Sequence, residues 1–222
     1  MNSLFIYCAG GLGRETYDIA SRQFKSNEIL KKILFVDDAF KNKKPKKFYE
    51  SEIVSSEYMI KSFRNKDCIV IASGEPSIRS KIYSSIKKKK LRFSSPLIDP
   101  SSNISDTSNI KVGSVIAPLC SIQSDSKIKQ NVFVNTMSII GHDVEIGSDV
   151  VISSMVNLGG ASIIGKSTYL GMGALVKENV RIGKDCIIGM GSVVHNDIPD
   201  GMIALGNPAR PIRRNTRKRV FK

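Results

Sequence analysis

At 222 residues the chain has room for one large domain or two small ones, each with its own core. A hydrophobic fraction of 41% and a charged fraction of 24% exclude a disordered chain, and no apolar run approaches the roughly 18 residues of a membrane-spanning helix. The net charge of +14 is concentrated in Lys41 to Lys47, Lys87 to Lys90 and Arg210 to Lys222 without interleaved aromatics, so solvated faces, a flexible tail or steering of small anions are expected, and nucleic acid is not.

The opening MNSLFIYCAGG has no basic n-region and only a short apolar stretch, which points to a cytoplasmic protein. Leu4 to Cys8 reads as a buried strand, followed by the loop Ala9-Gly10-Gly11-Leu12-Gly13 and a helix with Tyr17, Ala20 and Phe24 on one face. Ile33 to Val36 is a second strand, ending in Asp37 and Asp38. A basic, irregular stretch leads to a helix near Glu57 to Phe63 and a third strand at Cys68 to Ala72. Ser73-Gly74 then opens a helix with Ile78, Ile82 and Ile86 on one side. This order predicts a small parallel sheet with helices on its faces over residues 1–95, with Ser94 to Pro100 as the junction.

A strand that turns into a helix at glycines exposes backbone N–H groups at a positive helix end, which suits a phosphate. Gly10-Gly11-x-Gly13 lacks the full dinucleotide spacing, and a tight strand-to-helix turn is the plain alternative. Asp37 is placed to accept hydrogen bonds from a ribose or base; the plain alternative for Asp37 and Asp38 is a turn or helix cap. Cys8, Cys68, Cys120 and Cys186 are scattered with no CxxC pair, so buried thiols are expected rather than disulfides or a zinc site.

From Ile104 to Val194, every sixth residue is Ile, Leu or Val, sixteen positions without a break. Two positions before each of these, no residue is larger than Val. A period of six fits neither a helix nor a simple strand. It fits a solenoid of triangular coils, eighteen residues per coil, with each aliphatic stacked about 4.8 Å above its equivalent. Gly141, Gly147, Gly159, Gly165, Gly171, Gly183 and Gly189 follow aliphatic positions, where tight corners tolerate little side chain.

His142 points outward, and one coil later stands Gly160. An imidazole beside a bare backbone amide could remove a proton from an acceptor while the N–H stabilises a tetrahedral oxyanion. Asp143 could hold the imidazole tautomer if the chain bends at a corner. A lone surface histidine is the plain alternative, and it is the reading adopted for His195. With two histidines in total the chain lacks the three that a solenoid zinc site requires, so no metal is expected, and a dehydrogenase would leave the solenoid unexplained.

Ala9-Gly10-Gly11-Leu12-Gly13-Arg14-Glu15, Phe35-Val36-Asp37-Asp38, Ile71-Ala72-Ser73-Gly74 with Arg79, Ile140-Gly141-His142-Asp143 and the ending Ile198-Pro199-Asp200 to Gly206-Asn207-Pro208-Ala209 together carry a resemblance. The chain is similar to bacterial sugar acetyltransferases of the sialic-acid O-acetyltransferase and PglD type. That resemblance implies a Rossmann-like nucleotide-sugar domain (1–95), a left-handed parallel β-helix (96–206), a basic tail (207–222) and a homotrimer with active sites between subunits. It assigns the acceptor to Gly10, Gly11, Gly13, Arg14, Asp37, Asp38, Ser73 and Gly74, and catalysis to His142, Asp143 and Gly160. Acetyl-CoA, the cosubstrate, is assigned to Gly141, Gly160, Ala161, Gly173 and Ala174. Two positions depart from the pattern: Cys8 replaces a glycine, and Val151 stands where some relatives carry a second histidine. The implied reaction is direct attack by the C4 amine of a UDP-linked amino-dideoxy sugar in surface glycan synthesis. O-acetylation of sialic acid and a non-catalytic nucleotide-binding scaffold are the alternatives.

Overall fold

The computed structural model describes residues 3–24, 30–40, 46–49 and 51–221. Lys41, Lys43 and Lys44 of the first basic run, and Lys222, lie outside them.

The N-terminal part is a five-stranded sheet in the order β3-β4-β2-β1-β5, formed by β1 (Ser3–Tyr7), β2 (Lys32–Val36), β3 (Lys46–Phe48), β4 (Ser51–Val54) and β5 (Cys68–Ile71). All pairs are parallel except the β3–β4 hairpin. β5 is buried along its whole length, as a parallel strand covered on both faces must be, and this accounts for its unbroken apolar run. The helices are α1 (Gly11–Phe24), α2 (Ser56–Ser62), whose N-cap Ser55 accepts from Tyr58 N–H, and α3 (Pro76–Lys88). On α3, Ile86 is buried and Ile82 half-buried, but Ile78 is exposed. β3 and β4 fall in the stretch expected to be irregular. β4 is only four residues of mixed polarity, and its pairing with β2 supplies what its local pattern does not.

From Leu97 to Val194 the chain forms seventeen two-residue strands, β6 (Leu97–Ile98) to β22 (Val193–Val194), on three faces. Each strand up to β19 (Leu175–Val176) pairs in parallel with the one eighteen residues later, as in Ile122↔Ile140 and Ile140↔Leu158. The six-step aliphatics and the small residues before them fill the axis: Ile122, Ile140, Leu158 and Val176 stack with Cys120, Val156 and Ala174 in one core. The corners turn at residues with positive φ, including Met137, Asp143, Met155 and Ala161. The glycines after the aliphatics do not make that turn. A Cβ at Gly147 would lie 2.6 Å from Lys166 N, so glycine there gives clearance to the backbone of the next coil.

The two parts share a core. Leu4, Ile6 and Phe35 on one face of the sheet pack with Ile19 and Ala20 of α1 and with Leu97, Val115, Phe133 and Val151 of one solenoid face. The other face of the sheet is covered by α2 and α3 through Met59 and Ile86. Arg79 bridges the parts while fully buried: its guanidinium donates to Ile71 O and Ser73 O on one side and to Asn131 O and Oδ1 on the other. Burial lowers its pKa to about 10.

The basic segment expected to be a tail is instead held. β24 (Ala209–Arg214) pairs antiparallel with β23 (Met202–Gly206), which continues the solenoid face, and residues 215–221 then return toward the N-terminal sheet.

Candidate functional site

α1 and α3 follow neighbouring strands, β1 and β5, yet lie on opposite faces of the sheet, so the loops after these strands part and open a crevice. Gly10 and Gly11 line the first loop, and a Cβ at either would meet nothing within 4 Å, which leaves room for a ligand to reach the backbone. Gly13 serves packing, because a Cβ there would collide with Cys8 O. Cys8 has φ +82°, the conformation that makes glycine the usual residue at such a turn. Its thiol is pushed up to about 11, first by burial and then by Asp37, which favours the neutral thiol over the thiolate.

The two aspartates already hold the loops. Asp37 accepts from Ala9 N–H at 3.3 Å and Ala39 N–H at 3.0 Å. Asp38 accepts from Ser56 N–H at 2.9 Å and the Tyr7 hydroxyl at 3.1 Å. The turn-and-cap role is therefore real, and the remaining lone pairs of Asp37 are what a ribose or base could use. Burial is the main reason the Tyr7 pKa rises to about 12. Across the crevice, Ser73 Oγ accepts from Glu75 N–H, and Gly74 lies beneath the Phe221 ring. Arg14 is exposed in the first turn of α1.

His142 occupies a solenoid corner remote from this crevice. Its Nδ1 lies 2.8 Å from Asp143 Oδ2. Side chains of adjacent residues on a straight strand diverge, but Asp143 has φ +58°, and this bend brings its carboxylate back to the imidazole. With Nδ1 donating to the carboxylate, Nε2 carries the free lone pair. A Cβ at Gly160 would lie 2.5 Å from Nε2 and 2.6 Å from Cε1, so the ring rests on that glycine. Among the described residues, the second corner residue of each coil donates to the coil before it, as Ala161 N–H does to His142 O, whereas the Gly160 N–H has no acceptor. Free corner amides recur along the solenoid; here the residue that carries one lies against an imidazole.

A hollow of about 420 Å³ adjoins His142, lined by Asn103, Ser105, Ser121, Gln123 and Ser124. Gly141 is buried under the Gly160 corner, and its N–H is bonded to Leu158 O. Gly173 has φ +68° and open space around it, at the opposite edge of the same solenoid face. Ala174 does not belong on that surface. It faces the axis, with its N–H bonded to Gly171 O and its carbonyl to Asn157 N–H, and has nothing left to offer a ligand. Val151 packs against the N-terminal sheet, away from His142. His195 is exposed just after β22.

The face between the corner of Met137 and the corner of His142 exposes Ile139 and Leu175, and its leading edge exposes Leu119, Met137, Met155, Met172 and Met190. The eighteen-residue step, applied to outward positions, would have revealed this apolar strip. Among the described residues no three His, Cys, Asp or Glu side chains form a metal-binding group, and no helix is long and apolar enough to cross a membrane.

Residues 3–86 match the family model for the PglD N-terminal domain, and residues 161–196 match that for bacterial transferase hexapeptide repeats. No curated protein sequence matches the chain. Among solved structures, it is similar to the acetyltransferase domain of PglB from Neisseria gonorrhoeae in complex with acetyl coenzyme A, at 28% identity over 96% of this chain and 100% of that one, with a TM-score of 0.86. WeeI from Acinetobacter baumannii is similar at 26% identity over 96% and 100%, with a TM-score of 0.86. PerB from Caulobacter crescentus, solved with CoA and GDP-perosamine, shares the fold at 24% identity over 96% and 98%, with a TM-score of 0.83. The shared architecture is a Rossmann-like domain on a left-handed parallel β-helix.

Proposed function

We propose that this chain, an acetyl-CoA-dependent sugar acetyltransferase of the PglD type, acetylates the C4 amine of a UDP-linked 4-amino-4,6-dideoxy sugar, with His142 as general base. The observation that carries the reading is the His142 imidazole, held through Nδ1 by Asp143 and resting on Gly160, a residue whose amide is uncommitted. The neutral amine attacks the thioester carbonyl as Nε2 takes its proton. The tetrahedral oxyanion is stabilised by the Gly160 N–H, the C–S bond breaks, and the imidazolium returns the proton to the departing thiolate. The products are the amide and coenzyme A, with no covalent enzyme intermediate and no metal.

The acceptor's nucleotide belongs in the crevice at Gly10, Gly11, Asp37, Asp38, Ser73 and Gly74. Within one chain it cannot reach His142. The N-terminal domain covers one face of the triangular prism, and His142 lies on the corner where the other two faces meet. A second copy must bring its imidazole to the crevice. The apolar strip from Met137 to Leu175, adjoining the His142 corner, is the surface through which a homotrimer forms. In that trimer acetyl-CoA runs along the solenoid beside Gly160, Ala161 and Gly173, and the sugar enters the polar hollow at Ser105 and Gln123.

Release of free coenzyme A with a panel of acceptors tests the reading. A UDP-4-amino sugar supports turnover, and His142→Ala lowers it by roughly 10²-fold or more with folding intact. Turnover with sialic acid and none with the amino sugar overturns the acceptor; an unaltered His142→Ala variant overturns the base.

A further inference from the structure

Residues 215–221 run from the last solenoid coils to the N-terminal domain and end on a buried carboxylate. Asn215 Nδ2 donates to Asp185 O at 2.9 Å, and Lys218 Nζ reaches Asp185 Oδ2 at 2.8 Å. The Val220 N–H then meets both oxygens of Glu75, at 2.9 and 3.1 Å, and the Phe221 N–H meets Oε2 at 3.2 Å. Glu75 is 6% exposed and holds the N-cap position of α3, yet its side chain does not cap that helix. Among the described residues no lysine, arginine or histidine pairs with it. Its charge is balanced by the strap's N–H groups, a use of buried charge that requires the strap to be in place.

The strap acts on one wall of the crevice. The Phe221 ring approaches to 3.5 Å of the position a Gly74 Cβ would take and meets Tyr169 of the solenoid edge-on, with centroids 5.6 Å apart. From the other side, Arg79 grips Ile71 O and Ser73 O while bonded to Asn131 of the solenoid. The loop 72–75 is thus fixed from two directions by groups that belong to, or lead from, the β-helix. A loop ordered before the ligand arrives does not charge its ordering entropy to binding.

We propose that Glu75 and Phe221 are positioning residues for the nucleotide-linked acceptor, acting by locking the Ser73–Gly74 wall to the solenoid. The proposal rests on the assignment of the crevice to the acceptor. Full-length Phe221→Ala and Glu75→Gln are compared with the parent by varying the nucleotide sugar and acetyl-CoA separately, and by hydrogen exchange at the amides of residues 73–75. Each variant raises the acceptor KM by about 10-fold, the scale of ordering one loop residue only on binding, and leaves the acetyl-CoA KM and the kcat at saturating acceptor unchanged. Exchange at 73–75 quickens in both. Phe221 is half exposed, so its variant folds and decides the matter even if Glu75→Gln does not. An unchanged acceptor KM in Phe221→Ala, or an equal loss for both substrates, overturns the positioning role. If the parent acetylates no nucleotide sugar, the function falls while faster exchange at 73–75 still supports the lock; unchanged exchange overturns the lock itself.

Discussion

Gly160→Ala separates the chemistry of the site from the stability of the coil. The added methyl would stand 2.5 Å from His142 Nε2 and 2.6 Å from Cε1, about 1 Å inside ordinary contact distance. No backbone atom is among its three nearest neighbours, and the His142 ring is the exposed end of a side chain, so the ring yields and the coil does not. Retreat by that amount lengthens the 2.8 Å bond to Asp143 and lifts Nε2 away from Gly160. A misplacement of about 1 Å in a reacting group lowers kcat/KM by roughly 10²-fold. Coenzyme A release is measured beside a thermal melt, in the parent and in a His142→Ala background. The expected result is a 10²-fold loss in the parent, none in the background, and an unshifted melt. Full activity in Gly160→Ala, or a melt lowered by several degrees, refutes the contact on which the mechanism rests.

Gly147→Ala has the opposite signature: its methyl would meet the Lys166 backbone, so urea unfolding shows a loss of about 2 kcal/mol with kcat/KM per folded molecule retained. Asp99 offers a pH test. Burial alone would raise its carboxyl, but hydrogen bonds from Ser101 and then the Arg22 guanidinium outweigh burial and hold its pKa below the usual carboxylate range. A depressed carboxylate stabilises the fold above its unfolded pKa of about 4 and loses that contribution as pH falls through the folded value. Arg22→Met is therefore less stable than the parent at pH 7, with the gap closing in acid; an equal gap at both pH values contradicts the linkage.

The solenoid is legible because its core repeats a single rule: Ile122, Ile140 and Leu158 face the axis for the same reason, and the eighteen-residue step alone sets His142 against Gly160. The same step also carried the apolar strip, which went unread because Met137, Met155 and Ile139 point outward and were not part of the inward pattern. What failed depended on distant partners. β4 is ordered by β2 beside it, and the basic segment from 207 is ordered by β23, Asp185 and Glu75, the last of these 145 residues away from Val220. A run of arginines and lysines reads locally as a solvated tail. Ala174 was placed at the cofactor surface by likeness to a motif, although its own position in the six-residue register assigns it to the axis.

The central claim is that the acceptor crevice of one protomer serves the imidazole of another, and mixing two inactive variants tests it most directly. His142→Ala removes the base. Gly11→Glu sets a carboxylate at the start of α1, where there is open space and where a phosphate is expected. Co-refolded in equal amounts, the two combine at random, and about a quarter of the pairings join an intact crevice to an intact His142 on its neighbour. The account predicts that the mixture regains about a quarter of the parent's activity, from two components that are each inactive alone. A mixture as inactive as its parts contradicts it.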